Sequence, residues 1–262
     1  TYAADWYLED GSITVDAGDS GQTVTQGSNP AVSDESPVIT QSSAETNNTI
    51  TINASENATA NVTISNVNIN ASNNTGSESK AAVSTGGQGN VNIELDGTNT
   101  LKSGREHAGL EKSKDGKLTI TDENGNGKLI ATGGEYGAGI GGGSKGNGSN
   151  ITITGGEVTA AGGTNGAGIG GGLRKNGEKI TVSGDATLKV QGGQTDAWDG
   201  AGAGIGNGGS LNEDFSGSFT PVNGAETKPD TSNLTTGKIE YYAPGADMTK
   251  DEPTSTTLGA GQ

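Results

Sequence analysis

The chain is 262 residues long, carries a formal charge of −16, and contains 48 glycines, one histidine and no cysteine. With 28% hydrophobic and 3% aromatic residues it has too few large apolar side chains for an ordinary two-layer globule of this length. The lack of cysteine excludes disulfides and thiolate metal sites, the acidity disfavours nucleic acid and anionic membranes as partners, and no apolar run approaches the roughly 18 residues of a membrane span.

Residues 1–37 place Trp6, Tyr7 and Leu8 beside the alternation Ser12-Ile13-Thr14-Val15, a strand pattern flanked by aromatics. This segment reads as an N-terminal cap or first coil, which a repeat stack needs to cover its open end. From Val38 the strands come quickly: Val38-Ile39, Ile50-Thr51-Ile52, Val62-Thr63-Ile64, Val67-Asn68-Ile69, Val91-Asn92-Ile93, Leu118-Thr119-Ile120, Ile151-Thr152-Ile153, Ile180-Thr181-Val182 and Leu188-Lys189-Val190. Gly, Asn, Ser, Thr and Asp, the turn formers, fill the spaces between them. Low hydrophobicity with high charge is also the signature of disorder, but so regular an alternation over 38–221 opposes it. In 222–262 the period is lost; a cap strand is expected near Ile239–Tyr242, then an acidic flexible tail or linker.

The lead residues Val62, Val91, Leu118, Ile151 and Ile180 are spaced 29, 27, 33 and 29 apart. A phrase GAGIGGG recurs at Gly137–Gly143 and Gly166–Gly172, with GAGIGNG at Gly202–Gly208. Its central residues, with Leu110 before them, form a second ladder: Leu110, Ile140, Ile169 and Ile205, spaced 30, 29 and 36. Nothing reads as an amphipathic helix. The pattern predicts an all-β fold, a right-handed parallel β-helix (β-solenoid) of about six to eight coils, capped at both ends, roughly 30–40 Å long. The glycine phrase is then a repeated tight corner whose φ values suit glycine, with Ala138, Ile140, Ala167, Ile169, Ala203 and Ile205 pointing inward.

Several motifs bear on chemistry. Gly137, Gly139 and Gly142 satisfy G-x-G-x-x-G, as do Gly166, Gly168 and Gly171. A dinucleotide site needs a helix next, and here another strand follows. Asp122, Asn124 and Asn126 open like a calcium loop, but the closing glutamate position is Gly133. Either an Asx-rich turn or a calcium site fits, and calcium is the sole cofactor the sequence offers. His107 lies in Arg105-Glu106-His107-Ala108-Gly109 and reads as a turn residue on the Ile140 ladder. Arg105 and Arg174, the only arginines, read as occupying corresponding positions after the corners, with no carboxylate cluster paired to them. An acid–base or oxyanion role for them is the enzymatic alternative.

Two large aromatics precede glycine corners, Tyr136 after Glu135, and Trp198 between Asp196 and Asp199. If the coils stack, all five residues fall along one edge. They form a candidate glycan-binding face, or else the rings shield the glycine backbone.

The run Val62–Ile69, the segment Val91–Gly104, His107–Leu110, Leu118–Ile120 and the GAGIGGG phrases together resemble the glycine-rich repeat regions of Gram-positive bacterial cell-surface proteins. Those are adhesin-like or carbohydrate-binding, and the similarity covers roughly 50–209. It implies an extracellular, cell-wall setting and a non-enzymatic scaffold for adhesion or glycan binding, with a glycan or host surface protein as partner. The chain would be one monomeric module of a larger protein. A polysaccharide lyase or hydrolase on a pectate-lyase-like helix, and a pure spacer, are the alternatives.

Overall fold

Valine, isoleucine and threonine alternating with asparagine and lysine suit a pleated, half-buried surface, and this chain uses them in strands of two to seven residues. The computed structural model describes residues 5–42, 44–113 and 115–262. It is an all-β parallel solenoid of about six turns. Each full turn contributes one strand to each of three faces, and each strand pairs in parallel with its counterparts one turn away.

The first face stacks Asp5–Tyr7, Val38–Thr40, Thr59–Ser65, Asn90–Asp96, Leu118–Thr121, Gly148–Ile153 and Gly177–Val182. The second stacks Asn68–Asn70, Thr98–Lys102, Lys128–Thr132, Glu157–Ala161, Thr187–Gln191 and Lys238–Tyr242. The third begins with Ile13–Gly18 and narrows through Ile50–Ala54, Val83–Gly86 and Leu110–Lys112. It ends in the two-residue strands Ile140–Gly141, Ile169–Gly170 and Ile205–Gly206. The narrowing has a local cause: Gly141, Gly170 and Gly206 sit at φ +134°, +140° and +144°, values that end a strand and favour glycine.

The Leu110–Ile140–Ile169–Ile205 ladder is formed as the spacing predicts, and it continues backward through Val83, Ile50 and Ile13. One register differs. Val91 pairs with Ala60, and Val62 pairs with Ile93, so the first interval of the other ladder is two residues longer than the lead valines suggest. A small alanine fills the inward position that the pattern gives to a large residue.

The inward residues form one continuous buried core from Leu8 to Ile239, each fully buried Ile or Leu contributing about 1.5–3 kcal/mol. Polar residues are buried with it, Asn99 and Lys112 among them. Asn99 is completely buried; its Oδ1 accepts from Val67 N and its Nδ2 donates to carbonyls including Lys128 O, which links three turns. Lys112 is buried on the third face, and burial holds its ammonium below the usual range, opposed by Asp115.

Both ends are covered. Gly21–Gln26 folds back antiparallel on Ile13–Gly18, Val32–Ser33 pairs antiparallel with Gly21–Gln26 in turn, and Trp6 Nε1 donates to Asp34 Oδ2 at 2.9 Å. Among the described residues parallel pairing begins at Asp5, and 5–37 holds the strands of a first turn with antiparallel cap strands added. At the other end Lys238–Tyr242 is the expected last strand. The residues after it differ from the expected flexible tail. Ser255–Leu258 returns antiparallel along that strand, and Ala260 and Gly261 donate to Leu234 and Thr235 carbonyls at 2.9 Å. A hairpin of Ser210–Glu213 and Phe219–Val222 interrupts the repeats before residue 221. Among the described residues no helix is long and apolar enough to cross a membrane.

Candidate functional site

The connections from the second face to the third, at 103–109, 133–139, 162–168 and 192–204, stack into one edge. Backbone amides run along it: Glu106 donates to Glu135 O at 2.7 Å, Tyr136 to Thr164 O at 3.0 Å and Asn165 to Gln194 O at 2.9 Å. These donors share an unusual backbone, with φ of 72°, 73° and 66°. A left-handed turn thus falls on the non-glycine residue before the first two phrases, Tyr136 and Asn165, and on Glu106 one turn earlier, at a cost of about 1–2 kcal/mol for Glu106 and Tyr136, while the third phrase follows Ala201 without one. Most glycines of the phrase serve close approach instead. A methyl on Gly166 would land on the Gly137 carbonyl, and one on Gly202 on that of Gly166.

In 103–109 and 133–139 the left-handed position carries an outer side chain, exposed Glu106 and half-buried Tyr136. Tyr136 lies beneath the Arg105 guanidinium, 5.2 Å from its ring centroid, a cation–π distance. Arg105 Nε also donates to Glu135 Oε2 at 3.1 Å. In the next turn the same position holds Asn165, completely buried. Its Nδ2 donates to Asp199 O and Gly200 O at 3.0 and 2.9 Å, while its Oδ1 has no partner.

Asn165 supports the loop that carries Trp198. This loop accounts for the long interval of 36 between Ile169 and Ile205. Asp196 Oδ1 accepts from Trp198 N and Asp199 N at 2.9 and 2.8 Å. Burial opposes ionisation of Asp196, but these amides outweigh it and its carboxyl titrates below the usual range. Asp199 is buried, and its two oxygens accept from Arg174 Nε and Nη2 at 2.7 and 2.9 Å. The result is a rigid platform with the indole of Trp198 56% exposed. Phe219 of the hairpin meets it edge-on, at 5.5 Å and 72°, and Phe215 at the hairpin turn is fully exposed.

All five expected face residues lie on this edge, in two groups. Glu135 and Tyr136 join Arg105; Asp196, Trp198 and Asp199 join Arg174, two turns and about 10 Å further along the axis. Asp199 is turned inward to its arginine, not outward to a ligand. The arginines differ from expectation. They are not equivalent, since Arg105 precedes its corner and Arg174 follows one, and each is paired with a carboxylate from the next turn. Sequence reading missed Asn165 and Phe219; the signal for the second was an aromatic pair, Phe215 and Phe219, in an otherwise polar stretch.

The other motifs stand apart. His107 Nδ1 lies 3.1 Å from both oxygens of Glu111. Asp122 Oδ1 accepts from Gly125 N at 3.0 Å, and Asn126 Nδ2 donates to Asp96 Oδ1 at 2.9 Å, so those two side chains turn to different partners; Asn124 is exposed. Among the described residues no three His, Cys, Asp or Glu side chains gather where a metal ion would sit. No protein-family model, curated protein or solved structure matches this chain.

Proposed function

We propose that the chain is a non-enzymatic module of a bacterial cell-surface protein, extracellular on the wall, whose glycine-corner edge binds glycan. The observation that carries this reading is the presentation of Trp198. A completely buried asparagine, a carboxylate-capped turn and a bidentate ion pair hold a loop whose outermost group is an exposed indole. Large aromatic faces gain most by burying themselves against an apolar surface such as the C–H face of a sugar ring, and a fixed one loses little entropy in doing so. Tyr136 beneath Arg105 offers a second ring on the same edge, which suits an extended chain more than a single unit.

A glycan array identifies the ligand, and calorimetry on Trp198→Ala tests the placement. We expect affinity to fall about tenfold or more with an unchanged circular dichroism spectrum, because the ring is not part of the core. Unchanged affinity overturns the placement. Glycan turnover lost in Arg105→Ala or Arg174→Ala would replace the reading with an enzymatic one.

A further inference from the structure

At the C-terminal turn the repeat stops in an unusual way. In successive turns the corner amides donate to carbonyls one turn on: Gly109 and Leu110 to Ala138 and Gly139, then Gly139 and Ile140 to Ala167 and Gly168, then Gly168 and Ile169 to Ala203 and Gly204. At the last corner the donors are Gly204 and Ile205, and their acceptors are the two oxygens of Glu226, at 2.7 and 3.1 Å. One side chain replaces two carbonyls of a further turn. The chain then lays Lys238–Tyr242 on the second face, but Ser255–Leu258 doubles back instead of rounding the corner.

The place of the next corner is therefore a cavity of about 590 Å³, within the roughly 300–1,000 Å³ of small-molecule sites. Gly192, Gly202 and Gly204 give it a floor without side chains. Tyr241 stands against Gly204 on the face that Ser255 and Thr257 share. Burial, and the nearby Glu226 carboxylate, push its phenol up to about 12, opposed by a hydrogen bond with Thr257; it stays a protonated donor at physiological pH.

The lining selects a chemistry. Thr231, Ser255 and Thr257 bring hydroxyls that both donate and accept. Glu226 and Lys228 bring one charge of each sign, and both Glu226 oxygens already accept from amides. One charge of each sign gives the lining no net preference for an anion or a cation, and a purely apolar ring would leave hydroxyls such as that of Ser255 without a partner from the ligand, which is costly when they are desolvated. An aromatic wall, a flat backbone floor and several short hydroxyls suit a neutral, polyhydroxylated ring. We propose that this chamber binds a single neutral sugar ring, at a site that abuts the 192–204 connection but is lined by residues other than Trp198, whatever the edge itself binds.

Saturation-transfer NMR on the full chain with glucose, galactose, mannose and N-acetylglucosamine tests this. At least one sugar should bind to the Trp198→Ala chain, which lacks the edge ring, and the chamber variants are made on that background so that the binding they weaken is the chamber's own. Thr257→Trp fills the chamber from the wall and should weaken that binding at least about tenfold; Ser255→Trp does the same from the adjacent position if the first variant fails to fold by circular dichroism. Binding that survives both folded variants, or a native chain that takes phenol or indole but no sugar, overturns the proposal. Binding by the native chain that is lost in Trp198→Ala would assign the sugar to the edge instead and also overturn it.

Discussion

His107 shows what one residue contributes within a single turn of the solenoid, through a partner four positions on. Its imidazole is raised above the ordinary value by the hydrogen bond to Glu111, with burial opposing. In the unfolded chain it titrates near 6.5. The pair therefore stabilises the fold fully below about pH 6.5, and that contribution is lost as pH rises through the raised folded value. We expect the melting temperature of the native chain to fall between about pH 6 and 8 relative to His107→Gln, whose profile should be flatter. Parallel profiles in differential scanning calorimetry would refute the role. At this scale the sequence was only partly legible. Tyr136 and Trp198 stood out because large rings beside glycine are conspicuous. The pairs Arg105–Glu135 and Arg174–Asp199 join residues 30 and 25 positions apart, and only the stacked register brings them together. Asn165 before glycine looks like any turn, though it is a buried strut.

Strands and corners were legible as elements because their alternation and their phrase repeat in chain order. What was not legible is why the corners need glycine. Two different demands are met by the same residue type. Gly166 has an ordinary φ but no room, since a methyl would overlap the Gly137 carbonyl; Gly125 has room on every side but a φ of +74°. Gly166→Ala should cost about 3 kcal/mol or more, because backbone on both sides must shift. Gly125→Ala should cost about 1–2 kcal/mol, the ordinary penalty of a left-handed alanine. Urea denaturation of the two variants checks the order, and equal midpoints would contradict it. The tapering of the third face has the same source: once Gly141, Gly170 and Gly206 enter, the strand ends at that glycine, one residue past its isoleucine.

For the molecule as a whole, the solenoid class followed from the near-constant period and caps were expected at both ends, but the antiparallel form of the caps was not legible, because caps need not repeat. The N-terminal turn and the returning strand Ser255–Leu258 both cover edges that would otherwise pair with other chains. Removing 254–262 uncovers the free edge of Lys238–Tyr242, and we expect self-association detectable by light scattering; a monodisperse truncated chain would show that this strand is dispensable as a cover. The Glu226 carboxylate has a wider consequence. Because a single side chain terminates the corner column, the ending is indifferent to how many turns precede it. Duplicating the 29 residues from Ile140 to Gly168 would insert one turn, about 4.8 Å, and leave both terminations as they are. The separation between the Arg105 pair and the Glu226 chamber is thus a copy number, one that recombination can lengthen or shorten in whole steps, as graduations on a ruler.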